Sequence, residues 1–364
     1  MGIIPRPGRS LCSVPARVLA ALGRAERGVV VLAVDGLSWE TAATAWRGAE
    51  LDRLTSTFPS TSATAWMSSI TGAPVSEHLV VGAAYRAPAD GSLINVITGQ
   101  TLALPHSGED GPGRPSEGDR GLPTLFERAA GLAETVVVGR ELDTLTSPWA
   151  AALTRGARRA PHAHPLTTDP EDLVAGVIAD VAAAVAAPRE RPLLLWVYVN
   201  LDDHVHRHGY DARAMSALRR LERQASAWAA HGWQVLAYAD HGQVPVTPDA
   251  ALAARWAALD TPELCALPGG GAGRVRWLYP RPPLAGQVAE RLADALDGHA
   301  LVLPAAALAQ AGLEPATGPM LERLGAVVAV ATSPRFPVPD PGLAYEHGGW
   351  SPEEMLVPLA RWAP

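Results

Sequence analysis

Pro192–Gly209, PLLLWVYVNLDDHVHRHG, runs without a break from the most hydrophobic segment of the chain into two aspartates and three histidines. A continuous apolar run of this length, opened by a proline and closed by charge, reads as a strand buried on both faces, the kind that parallel sheets use. Two other runs end the same way. Gly28–Val34 stops at Asp35-Gly36, and Gln234–Ala239 stops at Asp240-His241-Gly242. Between them lie helical patterns over residues 14–23, 38–47, 169–187, 211–230 and 284–296, several opened by a Ser or Asp cap. Strands alternating with helices predict a layered α/β fold, with a mostly parallel central sheet and helices on both faces. In such sheets ligands collect at the carboxyl ends of the strands, where these aspartates and histidines lie.

The rest of the chain is patterned less clearly. Ala84–Leu104 carries short apolar pieces around Asp90-Gly91 and suggests a hairpin or a pair of edge strands. Pro105–Leu122 is dense in Gly, Pro and acidic residues and reads as a loop, either a lid or a surface excursion. Residues 243–283 are weakly patterned, with Gly269–Gly273 read as a loop. We expect one domain over residues 1–364, with specificity residing in the segments 105–122 and 243–283, because loops at the rim of a sheet vary most freely. Ser351-Pro352-Glu353-Glu354 reads as a helix start, with a Ser cap and Pro in the first turn.

Composition removes several functions. All 30 basic side chains are arginine and none is lysine, so no P-loop lysine or Schiff-base lysine exists. The formal charge of −7 gives no bulk attraction to nucleic acid or anionic lipid. Cys12 and Cys265 stand far apart with no C-x-x-C context, which argues against a disulfide framework or a cysteine metal site. The first 25 residues hold no continuous apolar run, so no secretory core or membrane span is expected and a cytoplasmic protein is the default.

Phe58–Gly72, FPSTSATAWMSSITG, crowds seven hydroxyl side chains into fifteen residues. Pro59 pushes Phe58 out of the helical region, so the chain should enter extended and turn helical after Ser60 or Thr61. That presents Ser62 at a helix N-terminus, an electropositive place rich in free N–H groups. Taken alone, the stretch also reads as an ordinary capped helix.

Repeated Asp and His at one rim of a buried sheet would concentrate negative charge, which is costly unless cations neutralise it. Mixed Asp and His ligands suit Zn²⁺ best, with Mn²⁺ possible.

Together the motifs VVVLAVDGL around Asp35, PSTSATAWMSSITG around Ser62, LDDHVHRHG, YADHG and EHGGWSPEEMLVPL resemble, in order, the alkaline phosphatase superfamily. The resemblance is strongest to its type I phosphodiesterase/nucleotide pyrophosphatase branch and spans residues 29–359. It implies an alkaline phosphatase-like three-layer fold and two divalent metal ions. Asp35, Ser62, Asp240 and His241 would hold one, and Asp202, His206 and His347 the other. It also implies Ser62 as the nucleophile that becomes a phosphoserine, acting on a small phosphoester. Thr61, His208 and Tyr85 are the candidate substrate contacts. Asp203 and His204 are bystanders or orienters of the ligands, Glu346 an orienter or a solvent group, and Trp66 a packing residue.

One departure bears on specificity. Well-known nucleotide pyrophosphatases carry an asparagine about twenty residues after the nucleophile, where this chain has Gly82-Ala83. A phosphodiesterase or pyrophosphatase therefore stands beside two alternatives: a monoesterase or phosphonate hydrolase on the same metals, and a non-catalytic member that binds metal or nucleotide. Neither a nucleic-acid polymer nor a membrane is expected as a partner.

Overall fold

Every residue of the strand Gly28–Asp35 is buried, which is why its sequence shows no alternation. The strand is the middle of a seven-stranded sheet in the order Glu50–Thr55, Leu356–Trp362, Gln234–Ala239, Gly28–Asp35, Leu193–Asn200, Glu134–Val138, Arg158–Arg159. Pairing is parallel from Gln234–Ala239 through to Arg158–Arg159. Leu356–Trp362 alone runs against both of its neighbours. Helices cover the sheet on both faces, as the alternation predicts. The computed structural model describes residues 2–6, 8–106, 121–162, 166–313 and 318–363.

Register sets the carboxyl rim. Asp35 lies level with Asn200, and Val34 with Ala239. Asp240, one residue after Ala239, is therefore level with Asp35 on one side, and Asp202 is two residues past the rim on the other.

A second seven-stranded sheet was not anticipated. Its order is Ala300–Pro304, Val327–Ala331, Val275–Pro280, Cys265–Ala272, Ala84–Arg86, Leu93–Asn95, Thr101–Ala103, and its pairings are antiparallel. The segment 243–283 is thus no loop excursion: it contributes the helix Ala250–Ala257 and two central strands of this sheet. Gly269–Gly273 is no loop either, since Gly269–Ala272 belong to the strand Cys265–Ala272. Packing explains the glycines. A Cβ on Gly270 would lie 2.6 Å from the Trp277 indole nitrogen and 2.6 Å from the Ala84 carbonyl oxygen. The neighbouring strands supply the bulk that this one lacks, so the strand has no apolar pattern of its own to read.

One face of the second sheet joins the main core through Leu267, Val275, Trp277, Val328 and Val330. The other builds a smaller core with Leu252, Trp256, Val288 and Leu292. Of the acidic segment 105–122, residues 107–120 lie outside the described residues.

Near the C-terminus a helix starts after Ser351 as expected, with the Ser351 N–H donating to Glu354 Oε2 at 3.2 Å, but it is only Pro352–Met355 before the chain enters the strand Leu356–Trp362. This places the preceding turn over the main sheet. A bridge between Ser60 and Gly348, and the Arg274 N–H donating to the His347 carbonyl at 2.7 Å, pin that turn to the Ser60 loop and to the second sheet.

Candidate active site

Asp202–His208 is a helix. Residues four apart share a helix face, so Asp202 and His206 point the same way, with Asp202 Oδ2 3.0 Å from His206 Nε2. His204 and His208 fall on another face. Their rings lie 4.8 Å apart, with His204 Nε2 3.0 Å from Asp211 and His208 exposed. His208 therefore stacks beside its own helix, away from the Asp202/His206 face.

Ser62 opens the helix Ser62–Thr71, and Gly72 closes it in the left-handed region. Its Oγ lies 3.1 Å from His241 Nε2 and 3.4 Å from Asp35 Oδ1. His241 Nε2 is 3.2 Å from Asp240 Oδ2 and 3.6 Å from Asp35 Oδ1. The His241 and His347 rings stack 3.7 Å apart, and His206 is 5.2 Å from His347. Donor atoms converge in three overlapping groups: Asp35 with Asp240 and His241, Asp202 with His241 and His347, and His206 with Glu346 and His347. All seven residues that the resemblance implies as ligands thus meet at the carboxyl rim. Glu346 joins them, 5% exposed rather than in solvent.

Electrostatics test whether cations fit here. Burial, reinforced by the Asp202 charge, pushes Asp35 up to about 7 even though the Tyr198 hydroxyl bonds its Oδ2. Burial together with Asp35 and Asp202 drives Asp240 well above the usual carboxylate range. Burial also pushes Glu346 up to about 7. Asp202 goes the other way: burial opposes its ionisation, but the facing His206 outweighs it and holds Asp202 well below the usual range. His206 is pulled down by burial and pushed further up by Asp202, to about 10. Burial lowers His347 to about 4 and His241 well below its ordinary value.

Protein atoms alone therefore leave the carboxylates mutually repelling, and Asp240 Oδ2 has no hydrogen-bond partner. The imidazoles are set for ligation. Nδ1 of His206, His241 and His347 sits against the carbonyls of Tyr345, Gly242 and Ser60 at 2.8, 3.3 and 2.9 Å. Each Nδ1–H donates outward, and each Nε2 faces the site, the tautomer and orientation a metal requires. Divalent cations fit this donor set.

Comparison with known proteins gives the family. A model described as type I phosphodiesterase/nucleotide pyrophosphatase matches residues 29–331.

The chain belongs to the type I phosphodiesterase/nucleotide pyrophosphatase family.

It is a phosphoesterase by that membership. No curated protein matches the sequence. Among solved structures it is similar to murine ectonucleotide pyrophosphatase/phosphodiesterase 5, an inactive form in complex with AMP. That pair shares 16% identity over 92% of this chain and 88% of the other, with a TM-score of 0.61. Phosphonoacetate hydrolase from Sinorhizobium meliloti 1021, in complex with phosphonoformate, matches at 16% identity over 93% and 90%, with a TM-score of 0.62. At such identities these likenesses show a shared fold.

Several residues around this phosphodiesterase-family site were not legible beforehand. Tyr198 bonds Asp35, and its one sequence signal is the alternation Trp196, Tyr198, Asn200 along a single strand. Trp66 packs, as expected, edge-on to Trp196, Tyr198 and Tyr238, but its Nε1 also lies 3.4 Å from Asp35 Oδ2. Gln243 is buried and donates to Asp202 Oδ1 at 2.5 Å. The Tyr210 hydroxyl donates to Gly36 O and accepts from Ser38 N and Gln243 N, joining two of the loops that carry the cluster. Tyr85 is 1% exposed, with its ring beneath the Arg323 guanidinium, and offers no open face to a base. Thr61 is the buried N-cap beside Ser62. Among the described residues no helix is long and apolar enough to cross a membrane.

Proposed function

We propose that the protein hydrolyses a small soluble phosphodiester or nucleotide-type pyrophosphate through a phosphoserine on Ser62, with two divalent metals, Zn²⁺ by preference. The observation that carries this is the meeting of Ser62 Oγ with His241 Nε2 and Asp35 Oδ1 at the start of a ten-residue helix, inside a ring of ligand-type side chains. Asp35, Ser62, Asp240 and His241 would hold one ion, and Asp202, His206 and His347 the other. Bound there, such ions supply Lewis acidity to the attacking and leaving oxygens of an in-line displacement and lower the pKa of the serine hydroxyl.

The chain's own contribution follows from its geometry. His241 Nε2 and Asp35 Oδ1 are the acceptors within reach of the Ser62 hydroxyl proton. The helix N-terminus faces the developing negative charge on the phosphoryl group. Attack forms the bond from Ser62 Oγ to phosphorus and breaks the ester bond, and the leaving oxygen takes up a proton. Water then cleaves the phosphoserine, releasing the phosphate product and restoring Ser62.

Monoester or phosphonate hydrolysis is the second reading, and one observation favours it. A Cβ on Gly82 would lie 2.7 Å from the buried Trp277 ring, so there is no room for a side chain at the position where the resemblance would put an amide. The reading includes a cytoplasmic location, and a small phosphoester is the expected partner.

Ser62→Ala is expected to abolish turnover while two metals remain bound. Hydrolysis at near the wild-type rate would sink the mechanism and leave a different nucleophile. p-Nitrophenyl phosphate, bis-p-nitrophenyl phosphate and nucleoside 5′-p-nitrophenyl phosphates, compared at fixed metal, decide between monoester and diester.

A further inference from the structure

Arg140 follows the strand Glu134–Val138 by two residues, at the carboxyl end of the main sheet, where Val138 pairs with Val197 three residues before Asn200. It is 6% exposed. Other buried arginines of this protein have clear partners: Arg274 pairs with Glu354, and Arg323 with the Leu79 carbonyl. The Arg140 guanidinium makes no hydrogen bond or ion pair among the described residues, and the Glu141 carboxylate influences it only through space. Its nitrogens are not sealed in protein as Asp240 Oδ2 is. A guanidinium never gives up its proton, and burying it unpaired is unfavourable unless a counter-charge arrives.

The segment that carries it touches the supports of the site. The preceding Gly139 has no room for a side chain: a Cβ there would lie 2.9 Å from Tyr198 Cβ, and it is the Tyr198 hydroxyl that bonds Asp35. Nine residues on, Trp149 Nε1 donates to the carbonyl of Ala63, the residue after Ser62, at 3.0 Å. The segment 139–149 that carries Arg140 thus touches both the Asp35 support and the Ser62 helix.

We infer that Arg140 binds a second anionic group of the substrate, a carboxylate or phosphate beyond the phosphoryl group that Ser62 attacks. This rests on the phosphoesterase reading of the site and narrows it to phosphoesters or phosphonates that carry such a group. Every ligand-type side chain of the cluster serves the reacting phosphoryl group or its cations, so an acidic tail needs its own cation. The planar fork of Arg140 matches the two oxygens of a carboxylate or phosphate.

The test is calorimetric binding of carboxymethyl phosphate and of 2-hydroxyethyl phosphate, nearly equal in size and differing in the tail charge. The protein is metal-loaded Ser62→Ala, with and without Arg140→Met or Arg140→Lys. The parent is expected to prefer the carboxylate ligand about tenfold or more. Arg140→Met should erase that preference, and Arg140→Lys should keep part of it. An unchanged ratio in Arg140→Met, or no preference in the parent, overturns the inference. If Arg140→Met does not fold, loss of the bidentate partner in Arg140→Lys must still lower the ratio. Binding ratios do not depend on turnover, so a failed nucleophile assignment would show separately, as hydrolysis by Ser62→Ala.

Discussion

His206, His241 and His347 each commit Nδ1–H to a backbone carbonyl and turn Nε2 into the site. Tyr198 performs the matching service for a carboxylate, fixing Asp35 through Oδ2 while Oδ1 faces Ser62. Tyr198→Phe removes that donor and leaves only the longer Trp66 contact. A hydrogen bond to a charged group is worth about 1.5–3 kcal/mol, so kcat should fall about tenfold or more with the fold intact. Steady-state kinetics beside a melting curve checks it, and an unchanged kcat would mean Trp66 suffices. His78, outside the site, carries a stability prediction. It accepts from Val80 N–H at Nδ1, pairs with Ser68 Oγ at 2.9 Å, and burial lowers it to about 3. A folded value below the unfolded 6.5 gives stability that is full above 6.5 and is lost as pH falls towards 3. Between pH 7 and 5 the loss is about 2 kcal/mol. Denaturant titrations of wild type and His78→Gln should show their difference shrinking by about that amount, and a constant difference would refute the assignment.

At the scale of elements, legibility followed burial pattern. Gly28–Asp35, Leu193–Asn200 and Gln234–Ala239 are buried almost throughout, so each is an apolar run that any reading finds. Cys265–Ala272 escaped because its middle is glycine, and Leu356–Trp362 because Pro358 and Arg361 break its run. The helix Asp202–His208 gives no helical signal because its three histidines and two aspartates form no apolar stripe; its one fully buried apolar residue is Val205. Gly271 tests the second sheet. Its φ is +127°, and a Cβ would lie 2.4 Å from the Val275 carbonyl oxygen. Gly271→Ala should destabilise the protein by roughly 2 kcal/mol, since both backbone strain and a clash are introduced. Thermal denaturation reads this, and an unshifted midpoint would mean the hairpin relaxes freely.

For the whole molecule, the cations proposed here would be structural as well as chemical, since they would neutralise carboxylates drawn from three strand ends. Dialysis against a chelator should remove activity and lower the melting temperature, and Zn²⁺ or Mn²⁺ should restore both. At free metal about 100 times Kd the stabilisation amounts to about 2.7 kcal/mol per site. A protein that melts and turns over identically with and without chelator would contradict the metal reading. The sequence by itself determined the parallel α/β layering, the strand ends that carry Asp35, Asp202 and Asp240, and the helix start at Ser62. These are local matters: runs of apolar residues, the polar residue that stops them, and capping chemistry. Only the tertiary structure decided that Asp35 and Asp240 are pushed up while Asp202 is held down, that Tyr198 and Gln243 fix the carboxylates, and that Arg140 lies buried without a partner among the described residues. Such properties depend on burial and on neighbouring charges, and those neighbours come from distant parts of the chain, as when the Gly348 N–H reaches the Ser60 hydroxyl across 288 residues.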